Sequence, residues 1–413
     1  MRVRLRNTET KTTVRTLQLT ICLLAISGLA RAEEVVAYTN ATVETVAKDG
    51  QLKGATVVVR GDKIDAVGKD VEIPNNAKVV DVSGHTIMPA VIDPYFPVNM
   101  GGAPAGGTRT ITIRGRTFTI PASRATVSTA FTRIADNIDP LVLKRPQLLQ
   151  SRVGVAFANL VTRGYGQAAH ARVTPEDVET SIISGDGYLY VAVSNSTSSL
   201  DVLRRNLGLN QTTSSGTASR RPTTRSSSSP TAKLWTEVKE GKKPVLLNVN
   251  NAATILHVLK ALEKNEKIKV AMVATGPHIF ETFDAIKKRK NLTMVIRPGL
   301  DTAPRSQDRI NVPRMLADAK VPFAFSVSLN PDIPQMTDTP MFPLMQMVKT
   351  GLKRDKALSA MTLEPAKVLG LEKTMGSIEK GKKANIIFVD GDPLDMSTRV
   401  QKVLVEGKTV YEG

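Results

Sequence analysis

Between residues 34 and 88, apolar and polar positions alternate in short runs broken by turn residues, the period of strands rather than helices. Ala55-Thr56-Val57-Val58-Val59 is rich in β-branched side chains, Arg60-Gly61-Asp62-Lys63 is a turn, 64–67 resumes the alternation, and Lys78-Val79-Val80-Asp81-Val82 runs to a break at Gly84. The C-terminal end has the same texture. Residues 384–390 read as a buried strand, Gly391-Asp392-Pro393 as a turn, and 400–405 with 408–411 as a hairpin across Glu406-Gly407. Chain termini often lie close together, so the two ends are expected to share one small β unit.

Between them, apolar runs alternate with helical patterns. The strand-like 244–249 precedes a helix over 252–263 whose Ala252, Ile255, Leu256, Leu259 and Leu262 share a face. Residues 269–274 precede a helix over 279–290, 293–296 one near 312–319, and 322–327 one over 341–350. This repeat suits parallel βαβ units. An α/β barrel is the closed solution, with function at the C-terminal strand ends, and a doubly wound open sheet is the alternative. The preceding part is less regular. Residues 101–107 form a glycine-rich loop, and 210–230 is a Ser/Thr-rich stretch carrying Arg220, Arg221 and Arg225, which reads as a solvated insertion.

The first 32 residues read as a secretory signal peptide: Arg2, Arg4, Arg6, Lys11 and Arg15 form a basic head, 17–29 is mostly apolar, and Ala30-Arg31-Ala32 has the small-x-small form of a cleavage site. An uncleaved anchor is the alternative, although the apolar stretch is shorter than the roughly 20 residues of a membrane span. Cleavage would leave 50 basic against 37 acidic side chains, reducing the net charge from +18 to +13, and would remove Cys22, the single cysteine. The expected product is exported, periplasmic or extracellular, without disulfides and without a stable membrane span. With one cysteine and four histidines among 413 residues, multi-thiolate metal sites are excluded and imidazole-rich ones have little material.

The run Met88-Pro89-Ala90-Val91-Ile92-Asp93, following a β segment, resembles the first barrel strand of the amidohydrolase superfamily. Ala357-Leu358-Ser359-Ala360-Met361-Thr362-Leu363-Glu364-Pro365-Ala366 and Gly376-Ser377-Ile378-Glu379-Lys380-Gly381-Lys382-Lys383-Ala384-Asn385, continued by Gly391-Asp392-Pro393-Leu394, resemble its closing signature. The imidazolonepropionase-like subgroup is most similar. The resemblance implies a (β/α)8 TIM-type barrel over 89–370, joined to a composite β-sandwich made of 33–88 and 371–413. It also implies an ancestry in hydrolysis of carbon–nitrogen bonds other than peptide bonds proper, with zinc or another divalent ion activating water.

Enzymes of that family hold the metal with a His-x-His after the first strand, histidines on later strands, sometimes a carboxylated lysine, and an aspartate at the last strand. Here the first pair falls on Tyr95 and Pro97, the histidines of the 244–249 strand on Asn248 and Asn250, and the aspartate on Ser328 within Phe325-Ser326-Val327-Ser328. Proline offers no ligand atom, a neutral phenol is a poor one, carboxamide oxygens do not make a catalytic zinc site, and serine is no carboxylate base near neutral pH. No metal or other cofactor is therefore expected. His278, after the 269–275 strand, is the best single polar candidate at the strand ends, with Asn248, Asn250 and Ser328 as weak companions. His85 reads as structural within a strand, His257 as exposed, His170 as a loop or helix-start residue, and Asp93 as a turn or cap.

Other chemistries find little support. No Gly-x-Ser-x-Gly elbow is present, the glycine loop lacks a P-loop ending, and aromatic side chains make up 4 % of the chain, so nucleic acid is not an expected partner. Lys287-Lys288-Arg289-Lys290 reads as cations at a helix C-terminus. Asn-x-Ser/Thr triplets at Asn40, Asn195, Asn210 and Asn291 would accept glycans only in a eukaryotic secretory pathway. The expectation is a catalytically degenerate amidohydrolase with a binding or assembly role, pairing with an active relative or with itself, and a small molecule as a possible ligand. The alternatives are an active hydrolase with a relocated site and a surface protein binding anionic polymers.

Overall fold

The computed structural model describes residues 33–98, 108–113, 116–121, 131–136, 153–162, 164–174, 181–193, 197–208, 230–329 and 342–413. The expected leader, the glycine loop at 101–107, Asn195 and the Ser/Thr-rich stretch up to residue 229 lie outside the described residues.

Both ends of the chain build one eight-stranded sheet. β1 (Val35–Glu44) runs antiparallel to β2 (Gln51–Arg60), which continues into β3 (Lys63–Gly68). β4 (Lys78–Asp81) and β5 (Thr86–Pro89) lie parallel to β1. Strand Ile386–Val389 then pairs antiparallel with β5, Ile386 opposite Pro89, and Val400–Val405 and Lys408–Glu412 complete the sheet. The sheet curls. Ile64 N–H donates to the Lys382 carbonyl and Ala384 N–H to that of Asp62, each at 2.8 Å, so β3 meets the segment leading into the C-terminal strands. Inside lie Val43, Val57, Ile87, Ile386 and Leu404, with the tilted rings of Tyr38 and Phe388 4.8 Å apart. Gly407 in the last turn has φ +77°, and a Cβ there would sit 1.9 Å from the Gly61 carbonyl oxygen, so only glycine fits.

At Ala90 the chain crosses to a second sheet: Ala90 N–H donates to Asn385 and Val91 N–H to Gly154, both at 2.9 Å. β6 (Val91–Pro97) opens it. β7 (Thr108–Ile113) and β8 (Arg116–Pro121) form an antiparallel hairpin. Short strands follow: β9 (Phe131–Arg133), β10 (Val155–Val161), β11 (Tyr165–Gln167), β12 (Ala169–Arg172) and β13 (Ile182–Ser184). β6 and β10 are parallel, but β12 runs antiparallel to β10, and β11 antiparallel to the next strand, β14 (Leu189–Val193). The uniform parallel repeat begins only at β14. β15 (Val245–Val249), β16 (Val270–Ala274), β17 (Leu292–Ile296) and β20 (Phe323–Phe325) extend it in order, with the two-residue pair β18 (Asp301–Thr302) and β19 (Arg309–Ile310) between the last two.

The parallel strands are covered on both faces, as such sheets must be. Val245, Leu247, Val249, Met272, Met294 and Phe323 pack outward against Ile255, Val258 and Leu316 of the helices. The intervening Leu246, Ala271, Val273, Val295 and Ala324 join Ile92, Phe157 and Tyr190 in a separate inner cluster. The architecture is mixed α/β. Among the described residues β6, β10, β12 and β13 form one sheet and β9, β11, β14–β17 and β20 another, no ladder joins the two, and hydrogen bonds described below tie β6 to the end of β20.

Several element limits differ from the sequence reading. The helix expected over 252–263 spans Ala252–Ala261, and its buried side chains include Ile255 and Val258, whereas Leu256 is 47 % exposed. Ile255, Val258 and Leu262 share a 3.6-residue stripe that Leu256 misses by one position. The helix expected over 279–290 is a 3-10 turn, Ile279–Thr282, plus one α turn, Phe283–Ile286. His278 enters it in the left-handed region, and the Thr282 hydroxyl bonds back to the Ile279 carbonyl, which competes with regular helix. His85 precedes β5 rather than lying in a strand, because Asp81, Ser83 and Gly84 (φ +81°) turn the chain there.

Candidate functional site

Parallel strands project their last residues to one end of the sheet, and there the side chains flagged in the sequence partly converge. Asn248, next to last on β15, is half-buried. Its amide donates to the Tyr95 hydroxyl at 2.9 Å and the Tyr190 hydroxyl at 3.1 Å, and its carbonyl accepts from Thr275 at 3.1 Å. Strands β6, β14, β15 and the end of β16 are thereby linked by neutral groups. The two tyrosine rings lie 6.0 Å apart. Burial, then the neighbouring Tyr95, hold the Tyr190 phenol well above its usual pKa, so it stays a neutral hydroxyl.

Beside this network β6 is tied to the end of β20. Asp93, fully buried, accepts at Oδ1 from Ser326 Oγ at 2.6 Å and Tyr95 N–H at 3.1 Å, and at Oδ2 from Ser328 N–H at 2.9 Å. Ser326 Oγ also lies 2.9 Å from the Tyr95 carbonyl and 3.0 Å from Ser328 Oγ, which in turn donates to that carbonyl. Burial pushes the Asp93 carboxyl up to about 6, against the opposing pull of the Ser326, Tyr95 and Ser328 hydrogen bonds. Asp93 is thus a strand-to-strand clasp, a larger role than the turn or cap expected.

The structure brings Tyr95, Asn248 and Ser328 into this region but not every companion. Asn250 is exposed, and its carboxamide oxygen accepts from Asn251 and, at 3.4 Å, from Thr254, at the start of helix Ala252–Ala261. His278 is half-buried in the turn after β16, edge-on to Phe280 at 5.7 Å, with Nδ1 buried and unpartnered; no hydrogen bond among the described residues joins it to Asn248. Pro97 is half-buried at the end of β6 opposite Val161. His170 is a strand residue in β12, not a loop or helix-start residue. Packed between Phe157 and Tyr188, it has its pKa lowered by burial to about 4. His257 is exposed. Sequence reasoning missed Tyr190 and Thr275. A lone tyrosine inside an apolar parallel strand was the available signal for the first, since a buried phenol needs a partner.

The donors present do not fit a catalytic divalent ion. Both ends of the Asn248 carboxamide are committed, Ser328 is engaged with the Tyr95 carbonyl, and both Asp93 oxygens accept hydrogen bonds from protein groups. Among the described residues no three His, Cys, Asp or Glu side chains are grouped as a metal site requires.

A mixed α/β fold whose parallel strands carry polar side chains at their C-terminal ends is the class the structure defines, and comparison with known proteins narrows it. The sequence profile of the Amidohydrolase family matches residues 248–410. An imidazolonepropionase of Shouchella clausii is 29% identical over 106 residues, 24% of each chain. An N-substituted formamide deformylase of Arthrobacter pascens is 39% identical over 64 residues, 14% of this chain and 12% of that one. These matches span about a quarter of the curated relatives' length or less. Among solved structures, an amidohydrolase from Thermotoga maritima aligns with TM-score 0.67 at 21% identity, covering 92% of this chain and all of that one. A zinc-bound adenosine deaminase from Xanthomonas campestris aligns with TM-score 0.52 at 14% identity, covering 92% of both chains. Residues 248–410 thus resemble the Amidohydrolase family, imidazolonepropionases are similar over about a quarter of the chain, and the solved amidohydrolase shares the fold.

Proposed function

We propose that this chain is an exported, catalytically degenerate amidohydrolase in which neutral hydrogen-bonded side chains stand where the metal centre was, leaving a binding or assembly role. The carrying observation is Asn248, whose carboxamide is engaged at both ends by Tyr95, Tyr190 and Thr275. The two-sided burial of β14–β17 and β20, together with the Asp93 clasp between β20 and β6, supports reading these strands as the wall of a TIM-type barrel. The curled sheet of β1–β5 and the C-terminal strands is the composite unit beside it. Elemental analysis of the purified protein tests the reading: no bound transition metal is expected, and near-stoichiometric zinc, nickel or iron would overturn it. N-terminal sequencing of secreted or periplasmic material, expected to start at Glu33, tests export.

A second reading, a metal-free hydrolase, is favoured by one detail: a carboxyl titrating near 6 lies 2.6 Å from a serine hydroxyl. Ser326 is fully buried, which argues against attack on a substrate. Screening cyclic amides and N-acyl or N-formyl compounds with and without added metal decides. Turnover that survives Ser328→Ala, Asn250→Ala and His278→Ala would remove those residues from the reaction.

A further inference from the structure

The opposite end of the parallel strands holds a second feature. Pro244, Val270, Leu292 and Pro322, at the beginnings of β15, β16, β17 and β20, line a cavity of about 700 Å³ that also reaches Tyr188 and Gly370. This lies within the size range of small-molecule sites. Its lining is strongly cationic. Lys242, Lys287 and Lys367 are paired with Glu240, Asp284 and Glu364, each at 2.6–2.7 Å. Lys269, Lys290 and Lys320 are exposed and form no ion pair among the described residues. Arg289 is held away by the Leu262, Asn265 and Ile268 carbonyls. The single lining carboxylate, Glu372, has Oε2 buried without a hydrogen-bond partner.

We infer that this cavity binds a compact oligophosphate anion. Three unpaired ammonium groups from three successive strand connections surround one concavity, which concentrates positive potential where a bound anion would relieve their mutual repulsion. Ammonium groups act as point charges suited to the tetrahedral oxygens of phosphate, whereas the planar fork that favours carboxylates is spent on backbone carbonyls. The concavity, about 700 Å³, matches a short anion rather than an extended polymer. The site is remote in the fold from Asn248 and Asp93 and stands whether or not the strand ends retain chemistry.

Isothermal titration calorimetry of the whole protein with inorganic tripolyphosphate at low salt tests this, with orthophosphate and long-chain heparin as comparison probes. One saturable site for tripolyphosphate, weakened by added salt, is expected, with weaker binding of orthophosphate. Replacing Lys269, Lys290 and Lys320 together by Gln is expected to weaken binding about tenfold. Replacing the exposed Lys53, Lys69 and Lys353 by Gln, the same change in net charge away from the cavity, should leave affinity nearly unchanged. Glu372→Gln should tighten binding, a gain that misfolding cannot imitate. Equal losses in the two triple variants, no saturable site, weaker binding in Glu372→Gln, or a preference for heparin would each overturn the assignment.

Discussion

The substitution Asp93→Asn isolates the energetic cost of the clasp between β6 and β20. The usual carboxyl value is 3.8, and burial raises that of Asp93 to about 6. A native value raised by about two pH units corresponds to ~3 kcal/mol. The sign follows from proton counting. Below 3.8 both folded and unfolded chains hold the proton and no penalty exists. Between 3.8 and about 6 the folded chain keeps a proton that the unfolded chain releases, so stability falls as pH rises. Above about 6 the full cost persists. The carboxamide of the Asp93→Asn variant does not titrate, but it cannot accept from every donor that the carboxylate satisfies, which costs about 1–3 kcal/mol at all pH values. Urea unfolding of both proteins at a series of pH values separates the two terms. The wild-type advantage should shrink by ~3 kcal/mol between about pH 4 and about pH 7, while unrelated titrations cancel in the difference. A pH-independent difference would refute the reasoning, showing that the Tyr95, Ser326 and Ser328 hydrogen bonds fully offset burial.

Three other perturbations probe the site and its support. Asn248→Leu removes the partner shared by the Tyr95 and Tyr190 hydroxyls and should cost about 2–4 kcal/mol in urea unfolding, with altered near-ultraviolet circular dichroism from the tyrosines. Arg354→Ala strips the cation that joins Glu44 to Asp392 and leaves a mostly buried carboxylate held by Gln51 alone, so a loss of about 1–3 kcal/mol is expected. Gly407→Ala places a methyl group against the Gly61 carbonyl at positive φ; a loss of roughly 2 kcal/mol or more should show as a lower thermal midpoint.

The parts of the fold legible in the sequence are those where one local pattern had one physical solution. Strands β15, β16 and β17 are short apolar runs that only burial on both faces explains, and their limits fall within a residue or two of the expected ones. The segment after His278 was not legible, because its apolar spacing suits a helix while the backbone at His278 and the Thr282 side chain break it into two short turns. The antiparallel excursions of β11 and β12 were equally hidden, since a three- or four-residue strand carries no direction in its own sequence.

The candidate site shows the same division more sharply. Tyr95, Asn248 and Ser328 could be singled out by position, but position could not say what holds them. That depends on Tyr190, Thr275 and Ser326, contacts made across strands remote in sequence. Once these are in place, the polar side chains act as one set. A phenol at 95 needs a donor or acceptor, a carboxamide at 248 supplies one to two phenols at once, and serines at 326 and 328 satisfy the carboxylate at 93. A half-satisfied set would be worse than an apolar filling, because each orphaned polar group in a low-dielectric interior carries its full desolvation cost. Introducing a single histidine, as in Asn248→His, would therefore strand two phenols without building a metal site. Metal binding should require changing Tyr95, Pro97 and Asn248 to His together, with a carboxylate at the β20 end. Tight zinc binding by the single variant would show that the network is not what excludes the ion.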